Sequence, residues 1–539
     1  MNQARCLRII RVLLFLLGGL HMGLTAQAAY LGPIGVTLLQ TVTTNLDGTG
    51  IRVAQPEAYE TNSNWEVNPN ANAVGQPVSL FTYISAGGSA TNFPNSLSSE
   101  SGHADTVASY YYGLPGGVAT NIAHVDNYDA NYFVQVSEQV IGSTTNDIAT
   151  LPSSNIDDSV VNQSFIFNGA TLAMQQALDS AYDDYAARYS TLFVSAVGNG
   201  GPVSPPSTCY NGIGVGAYLD SINYSSVGPT PDNGRAKPDL TAPENATSFS
   251  TPQVAGAVAL LMQAGLRGDG GSDTNSPADI RTVKALLLNG AIKPSDWTNN
   301  PPSPLDARYG AGVLNVFNSY EQLTGGKHGY IVANSVPTGN PHPPTGASGT
   351  ISTLNGWDFN TLSSSSTSDG VNHYYFNVTN GLSNAAFTAT ATLVWNRQLN
   401  KTNINNLDLF LYDALSSNLV AASTSIVDNV EHLWLPQLPP GRYDLQVLKN
   451  GGLNIVSSSE TYALAWEFSS TLLNVAPSGT NLVLSWPIYP DGFVLASATN
   501  LAAPIIWSTN NPAPVVTNNL NWILVSATNA SRFFRLQPP

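Results

Sequence analysis

The sequence is short of charged residues, and positive charge is the scarcer kind. Only 10 % of its 539 residues are charged, against about 25 % in an average soluble domain. Lysine and arginine together number 19 while aspartate and glutamate number 35, which gives a net charge of −16. An acidic surface of this kind repels nucleic acid and anionic membranes. The composition therefore argues against a nucleic-acid partner.

Cysteine is also scarce, and the chain contains only Cys6 and Cys209. Cys6 falls in an N-terminal segment that we expect to be removed, so Cys209 has no partner for an internal disulfide. We expect Cys209 to be a small buried apolar side chain rather than a reactive thiol. Neither CxxC nor HExxH occurs, so the residues give no support for a zinc site.

Long apolar runs are missing except near the N-terminus, where the pattern predicts a secretory signal peptide over residues 1–28. Three arginines between positions 5 and 11 precede an apolar run over 12–20, and a small-x-small cleavage site follows at 26–28. A retained membrane anchor is the alternative, but the run is too short for a stable bilayer span. Cleavage leaves a net charge of −19. We expect a secreted protein, extracellular or periplasmic, with no membrane anchor in its mature form.

Apolar residues make up 42 % of the chain, and between about 50 and 320 they alternate between strand-like and helix-like spacing. This alternation predicts a mainly parallel sheet with helices on both faces, within a domain over 29–333. The predicted strands are Ile51–Ala54, Val160–Phe167, Leu192–Val197 and Gly212–Ala217, and the predicted helices are 170–186, 254–264 and 277–291. We expect the helix over 254–264 to have Pro252 in its first turn and to end at Gly265.

The spacing of apolar residues changes after a Pro- and Gly-rich segment, 334–349, whose composition predicts a linker. The helical period then disappears. Residues 350–471 contain strand-length apolar and alternating runs separated by turn residues, which predicts an all-β sandwich. Its run Leu407-Asp-Leu-Phe-Leu-Tyr-Asp413 resembles those of jelly-roll-like modules. Residues 472–539 predict a second, smaller β-module.

Ser248 is the candidate nucleophile of a serine hydrolase. It precedes the predicted buried helix, where backbone N–H groups and the positive end of the helix dipole can stabilise an oxyanion. A serine in this position is also a common helix N-cap, and taken alone that explanation is the better one. A nucleophilic serine needs a base, a group that orients the base, and oxyanion donors.

Two further residues supply candidates for these roles. His103 falls in the first turn of a short helical pattern and is the candidate base. Asn199 follows the predicted strand Leu192–Val197, and its amide could donate to an oxyanion at the carboxyl edge of the sheet. An ordinary Asn-Gly turn is the alternative for Asn199.

Taken in order, these runs resemble the subtilisin-like (S8 family) serine peptidases. Ala246-Thr-Ser-Phe-Ser-Thr-Pro-Gln-Val-Ala-Gly256 is similar to the nucleophile signature, with alanine in place of its first glycine. His103-Ala-Asp-Thr-Val-Ala-Ser109 is similar to the histidine signature, and Val197-Gly-Asn199 to the oxyanion signature. The resemblance covers about 48–320 and implies the subtilisin fold. The order acid, histidine, serine is that of subtilisins.

The acid is where the sequence departs from the family. Gly48-Thr-Gly-Ile-Arg-Val-Ala-Gln-Pro-Glu57 has glutamate where the family's first core strand ends in aspartate. Its extra methylene must be absorbed by a local shift, and a misplacement of about 1 Å can cost on the order of 10²-fold in rate. We expect Glu57 to be the working acid. Asp105 is the alternative, although its side chain would point away from His103 within one helical turn.

The resemblance implies a serine-type endopeptidase acting on protein or peptide substrates through Glu57, His103 and Ser248, with Asn199 in the oxyanion hole. It also implies that the segment Val161–Phe165 binds substrate as an added strand, with Ser164 and Phe165 as the contact residues. No cofactor is expected; calcium binds many relatives, but no ligand cluster supports it here. Two alternatives stay open: a catalytically impaired extracellular binding or scaffold protein, and an esterase or amidase using the same residues.

Overall fold

The computed structural model describes residues 29–537, apart from 61–62, 142–143, 332–342, 344–347, 380–386, 454, 471–472, 479, 503, 518–519 and 527–530. The predicted signal peptide lies outside the described residues, as does most of the predicted linker. No helix in the described part of the chain combines the length and apolarity that a membrane crossing requires.

A nine-stranded sheet forms the centre of the N-terminal part. Its strands and one separate hairpin are β1 (Arg52–Glu57), β2 (Phe81–Ser85), β3 (Gly88–Ala90), β4 (His124–Asp129), the hairpin strands β5 (Gln135–Ile141) and β6 (Thr144–Thr150), β7 (Val160–Gln163), β8 (Leu192–Ala196), β9 (Ile213–Leu219), β10 (Ile222–Asn223) and β11 (Leu240–Ala242). The order in space is β10-β9-β8-β7-β1-β4-β2-β3, and β11 pairs with β9. All neighbours are parallel except β2–β3 and β9–β10. The predicted parallel α/β fold is confirmed.

Seven α-helices accompany this sheet in the described residues. They are α1 (Val36–Val42), α2 (Gly102–Tyr111), α3 (Ala130–Phe133), α4 (Leu172–Tyr189), α5 (Thr247–Arg267), α6 (Ile280–Asn289) and α7 (Val316–Thr324), with short 3₁₀ turns at Val78–Leu80 and Ser276–Ala278. Helix α5 is buried from Ser250 to Gly265 and packs against β7, β8 and β9. This central helix carries Ser248, so the largest apolar core also fixes the candidate nucleophile.

Helix α5 is longer than the sequence pattern predicted, and both predicted ends were wrong. It begins at Thr247, so Ser248 lies inside its first turn rather than before it. Gly265 does not end it; a Cβ at this position would lie 3.2 Å or less from Pro277, so the glycine permits close packing. The helix ends at Gly268, whose φ of 87° is a left-handed conformation that glycine adopts without strain.

The C-terminal part contains antiparallel sheets, as the sequence predicted. The sandwich strands are β12 (Asn355–Ser363), β13 (Gly370–Val378), β14 (Phe387–Trp395), β15 (Leu407–Asp413), β16 (Leu419–Ser423), β17 (Val430–Leu438), β18 (Gly441–Lys449) and β19 (Ser459–Ser469). They form two four-stranded sheets, β12-β19-β14-β17 and β13-β18-β15-β16. Between them lies a core that includes Trp395 and Trp466.

A smaller β-module follows the sandwich. Its strands are β20 (Asn474–Ser478), β21 (Asn481–Pro487), β22 (Val494–Ala498), β23 (Val515–Thr517), β24 (Leu520–Ser526) and β25 (Phe533–Gln537). β20, β21, β24 and β23 make one sheet, and β22 pairs with β25. The main core of the α/β part continues into the sandwich, because Trp357 and Ala465 belong to it. The boundaries at 333, 349 and 471 stay predictions.

Candidate active site

Glu57 and His103 meet at the carboxyl edge of the sheet. Glu57 is the last residue of β1, and His103 lies in the first turn of α2, whose N-cap is Ser101. The Nδ1 atom of His103 lies 3.0 Å from Oε2 of Glu57. A carboxylate at Nδ1 selects the tautomer that leaves Nε2 unprotonated and able to accept a proton. Glutamate therefore reaches the imidazole here despite its extra methylene.

Buried hydrogen bonds fix the Glu57 carboxylate. Only 1 % of Glu57 is exposed, and its Oε1 accepts a hydrogen bond from Nε2 of Gln55 at 2.8 Å. The same Gln55 nitrogen donates to the Ala104 carbonyl, and Gln55 Oε1 accepts from the Tyr112 hydroxyl. Gln55 therefore bonds to Ala104 in α2 and to Tyr112 just after it. These bonds connect β1, which ends in Glu57, to the helix that carries His103.

The alternative acid, Asp105, faces a different part of the molecule. Its Oδ1 accepts a hydrogen bond from the backbone N–H of Asn68 at 2.6 Å. Burial, assisted by the neighbouring Glu100, raises the pKa of Asp105 to about 7. No hydrogen bond links Asp105 to His103 among the residues that the structure describes. The geometry thus brings Glu57, and not Asp105, to the imidazole.

The electrostatic setting of His103 favours its protonated form. Burial lowers the pKa of the imidazole, but the hydrogen bond and the charge of Glu57, together with the charge of Glu60, outweigh it and raise the pKa above the ordinary value. The side chain is 29 % exposed, so solvent still reaches the ring. A base of this kind can both take a proton and carry the resulting charge.

Ser248 is half-buried and lies beside Ser164, one of the two predicted substrate contacts. Its Oγ donates to the Ser164 carbonyl at 3.3 Å. Within the described ranges, no hydrogen bond joins Ser248 to His103. The neighbouring Phe249 ring lies against the imidazole, with centroids 5.9 Å apart. Catalytic hydrogen bonds are often long without substrate and tighten on binding, so a catalytic role for Ser248 requires its bond to His103 to form when substrate binds.

Pro252 explains why Ser248 and Ser164 are joined. A helix would normally satisfy the Ser248 carbonyl with the N–H of residue 252, but proline has none. The hydroxyl of Ser164 donates to that carbonyl instead, at 2.8 Å. Ser164 lies just beyond β7, so this bond fixes the end of the strand to the first turn of α5. The backbone of the candidate nucleophile is thereby held at the sheet edge.

Asn199 is positioned by the residue that precedes the nucleophile. Its Oδ1 accepts hydrogen bonds from the backbone N–H and the hydroxyl of Thr247, at 2.8 and 2.9 Å. These donors establish which end of the amide is oxygen, so Nδ2 carries the remaining donors. Gly198, with φ of 104°, turns the chain after β8 toward this position. The side-chain amide of Asn199 is thus available beside Ser248.

The predicted substrate segment needs a correction. Val161 pairs with Ala54 of β1 and Phe193 of β8, and Gln163 with Ser195. Val161 is thus paired on both sides and has no free edge for an added strand, whereas Asn162 and Gln163 pair with β8 on one side. Only Ser164 and Phe165 lie beyond the sheet, and they remain the predicted contact residues. The sequence does not show where this strand leaves its neighbours, because apolar residues stand on both sides of the polar residues Asn162–Ser164.

Some residues of the site were missed in the sequence. Gln55, Tyr112 and Thr247 support the acid and the oxyanion residue, and Glu60 contacts the backbone of His103. Glu60 is three residues after Glu57, a proximity that could have drawn attention to it. Gln55 and Tyr112 are far apart in sequence, and only the fold joins them. Alanine at 246 causes no strain, because its φ of −152° is extended backbone that any residue adopts.

Two other expectations concern metals and the free cysteine. Within the described part of the chain, no group of three or more His, Cys, Asp or Glu side chains is placed to hold a metal ion. Cys209 is buried and unpaired, and burial raises the pKa of its thiol to about 12. A thiol with this pKa is a poor nucleophile at neutral pH.

The parallel sheet carries the candidate acid, base, oxyanion residue and nucleophile at its carboxyl edge, which is the arrangement that a serine hydrolase requires. Residues 82–312 match the model of the subtilase family, peptidase S8. The predicted resemblance is confirmed, and this span is a subtilase-family domain with a serine-peptidase fold. The match contains His103, Asn199 and Ser248 but not Glu57, whose assignment depends on its geometry.

Two solved structures were also similar to this chain. One is the crystal structure of tripeptidyl peptidase 2, with 11 % identity and a TM-score of 0.29, covering 86 % of this chain and 61 % of that one. The other is the CspB protease of Clostridium perfringens, with 14 % identity and a TM-score of 0.37, covering 55 % of this chain and 98 % of that one. The chain spans about three fifths of the tripeptidyl peptidase 2 chain.

Proposed function

We propose that this chain is a secreted serine endopeptidase that uses a Glu57–His103–Ser248 triad. The observation that supports it best is the His103–Glu57 hydrogen bond, because it directs the free Nε2 lone pair away from the acid. His103 removes the proton from Ser248 Oγ as that oxygen attacks a peptide carbonyl. Collapse of the tetrahedral adduct expels the amine, which takes the proton from His103, and water then hydrolyses the acyl-enzyme.

Two free donors support an oxyanion hole beside the nucleophile. In the first turn of α5, the Thr247 N–H is bonded to Asn199 and the Phe249 N–H to the Ala246 carbonyl. The N–H of Ser248 has no hydrogen-bond partner among the described residues. It can therefore bind the oxyanion together with Nδ2 of Asn199, while the helix dipole adds to the stabilisation.

The substrate we propose is an extended polypeptide. The backbone beyond β7, at Ser164 and Phe165, continues a strand past its last pairing partner, and the Ser164 carbonyl accepts a hydrogen bond from Ser248 Oγ. An extended peptide can add to such backbone by main-chain hydrogen bonds, which suits cleavage within a chain. Secretion, the absence of a nucleic-acid partner and the lack of a cofactor requirement are part of the same proposal; the oligomeric state is left open.

The test is hydrolysis by matched variants. We expect the wild type to cut an unfolded protein at internal bonds, seen by mass spectrometry of the products, and Ser248→Ala to abolish cutting. Ser272 is an exposed serine beyond the end of α5, and Ser272→Ala should retain full activity. Cleavage of a simple ester but of no peptide would favour the esterase alternative. A folded wild type that neither hydrolyses substrates nor reacts with a fluorophosphonate would contradict the proposal and favour the binding-protein alternative.

A further inference from the structure

A second carboxylate contacts the segment that bears the candidate base. Glu60 is exposed and follows Glu57 by three residues. Its Oε2 accepts hydrogen bonds from the backbone N–H of His103 at 3.2 Å and from the Ser101 hydroxyl at 2.9 Å. The Ser101 hydroxyl in turn accepts the Ala104 N–H as the N-cap of α2. Glu60 therefore bonds both to the cap of this helix and to one of its unsatisfied N–H groups.

The two carboxylates act on different parts of one residue. Glu57 holds the imidazole of His103, whereas Glu60 holds its backbone. Tyr59, between them, donates its hydroxyl to Asp129 at 2.9 Å and so fixes the connecting segment to the end of β4. A helix N-terminus favours a negative charge of this kind.

We propose, on the basis of the function proposed above, that Glu60 is a positioning residue for His103, which fixes the amino end of α2 and adds negative charge beside the imidazole. Its role would be separate from that of Glu57, since it touches the backbone and not the ring. Position and charge are therefore two effects that different substitutions can separate.

Two carboxylates, those of Glu57 and Glu60, act on the His103 imidazole. The hydrogen bonds from His103 and Ser101 lower the pKa of Glu60, so it is ionised at neutral pH. Its charge and that of Glu57 act on the imidazole, burial opposes them, and the pKa of His103 is raised overall. Helix α5 presents the uncharged Phe249 ring, and Asp105 on α2 faces Asn68. Because Glu60 is exposed, salt should weaken its effect.

The test compares Glu60→Gln, Glu60→Ala and a control, Glu100→Gln. Glu100 is the residue before Ser101; its carboxylate accepts a hydrogen bond from Asn68 and helps to raise the pKa of Asp105. The control therefore removes a charge that acts on Asp105 and makes no contact with His103. The pH dependence of kcat/KM gives the pKa of the free-enzyme base. Titration of a ¹³C-labelled His103 ring by NMR, in a Ser248→Ala background, gives it without any activity.

Glu60→Gln keeps an acceptor oxygen but loses the charge. We expect it to keep kcat at high pH within about twofold and to lower the His103 pKa by about 0.3 to 0.7 pH units at low salt. Glu60→Ala should show the same shift and also lower kcat about tenfold with little change in KM, because the helix end is no longer fixed. Glu100→Gln should change neither quantity.

The inference is overturned if the His103 pKa moves no more in the two Glu60 variants than in Glu100→Gln, or if Glu60→Gln loses as much kcat as Glu60→Ala. Failure of the proposed function would be seen differently. In that case the wild type would be inactive and unlabelled by a fluorophosphonate, while the NMR shift caused by Glu60→Gln could still be present.

Discussion

Two histidine–carboxylate pairs in this chain use the same hydrogen bond in opposite surroundings. His103 and Glu57 are 3.0 Å apart at the edge of the parallel sheet, and the histidine side chain is 29 % exposed. His373 and Asp444 are 2.7 Å apart within the sandwich, where the histidine side chain is 2 % exposed. The shorter pair is therefore the one that solvent and substrate cannot reach.

The difference shows what the proposed catalytic base has that the buried pair lacks. Asp444 also accepts a hydrogen bond from Gln446, and the His373 ring is stacked on Tyr375 at 5.8 Å. The Nε2 atom of His373 is buried without a hydrogen-bond partner. His103 instead lies against the Phe249 ring, next to a serine in the first turn of a helix. Access to a nucleophile and to oxyanion donors is what distinguishes it.

The largest expected effect comes from removing each histidine in turn. His103→Ala should lower kcat/KM by on the order of 10⁶-fold, since a serine triad without its base loses nearly all activity. His373→Ala should leave kcat/KM of the folded protein unchanged and lower the free energy of unfolding by about 3 kcal/mol, because Asp444 stays buried without its partner. Peptide hydrolysis and urea unfolding measure the two quantities. Equal catalytic losses in both variants would remove the distinction between the pairs.

The next effect concerns the identity of the acid. Glu57→Gln should lower kcat about 10⁴-fold, because the amide no longer selects the reactive tautomer or stabilises the imidazolium. Steady-state kinetics on a peptide substrate measure it.

Asp105→Asn is the matched control, since Asp105 lies two residues from His103 but bonds to Asn68. We expect it to keep kcat within about threefold. If Asp105→Asn were the more damaging change, the acid would have been assigned to the wrong carboxylate.

Asn199→Ala tests the oxyanion donors that the sandwich pair lacks. It should lower kcat about 10²–10³-fold with little change in KM, a figure that comes from subtilisin, within the family that residues 82–312 match. Asn199→Asp keeps the acceptor for Thr247 but not the donors, and should lose as much. Recovery of activity in Asn199→Asp would mean that only the contact with Thr247 matters.

The smallest effect is a pH dependence of stability. The folded-state pKa of His103 is raised, so its protonation stabilises the fold fully below its unfolded value of about 6.5. That contribution is lost as the pH rises through the folded pKa, while activity increases over the same range. We expect a few tenths of a kcal/mol, because the ring is partly exposed. Urea unfolding of wild type and His103→Ala across pH 5 to 9 should show it, and identical pH profiles would contradict it.

The sequence was informative where chemistry is local. Ser248, His103 and Asn199 each lie in a short motif, and strands of the sandwich coincide with apolar runs such as Phe387–Trp395, which forms β14. An apolar run does not by itself show burial: β16, Leu419–Ser423, is largely apolar, yet its first two residues are exposed.

What the sequence could not provide depends on long-range contacts. The start of α5 was misplaced because Pro252 was taken as a first-turn residue, whereas Ser164, far away in sequence, replaces the hydrogen bond that proline lacks. The support of Glu57 by Gln55 and Tyr112 likewise exists only once β1 and α2 are adjacent. The glutamate itself could be suggested by its position, but its fit to the imidazole required the structure.

The most direct test of the central claim is the reaction of the folded protein with a fluorophosphonate, followed by mass spectrometry of its peptides. We predict one phosphonyl group on Ser248, formed faster as the pH rises through the His103 pKa, and formed at least about 10³-fold more slowly in Glu57→Gln. Folded wild type that stays unlabelled, or that carries the label on another residue, would contradict the account of Ser248 as a nucleophile activated by His103 and Glu57.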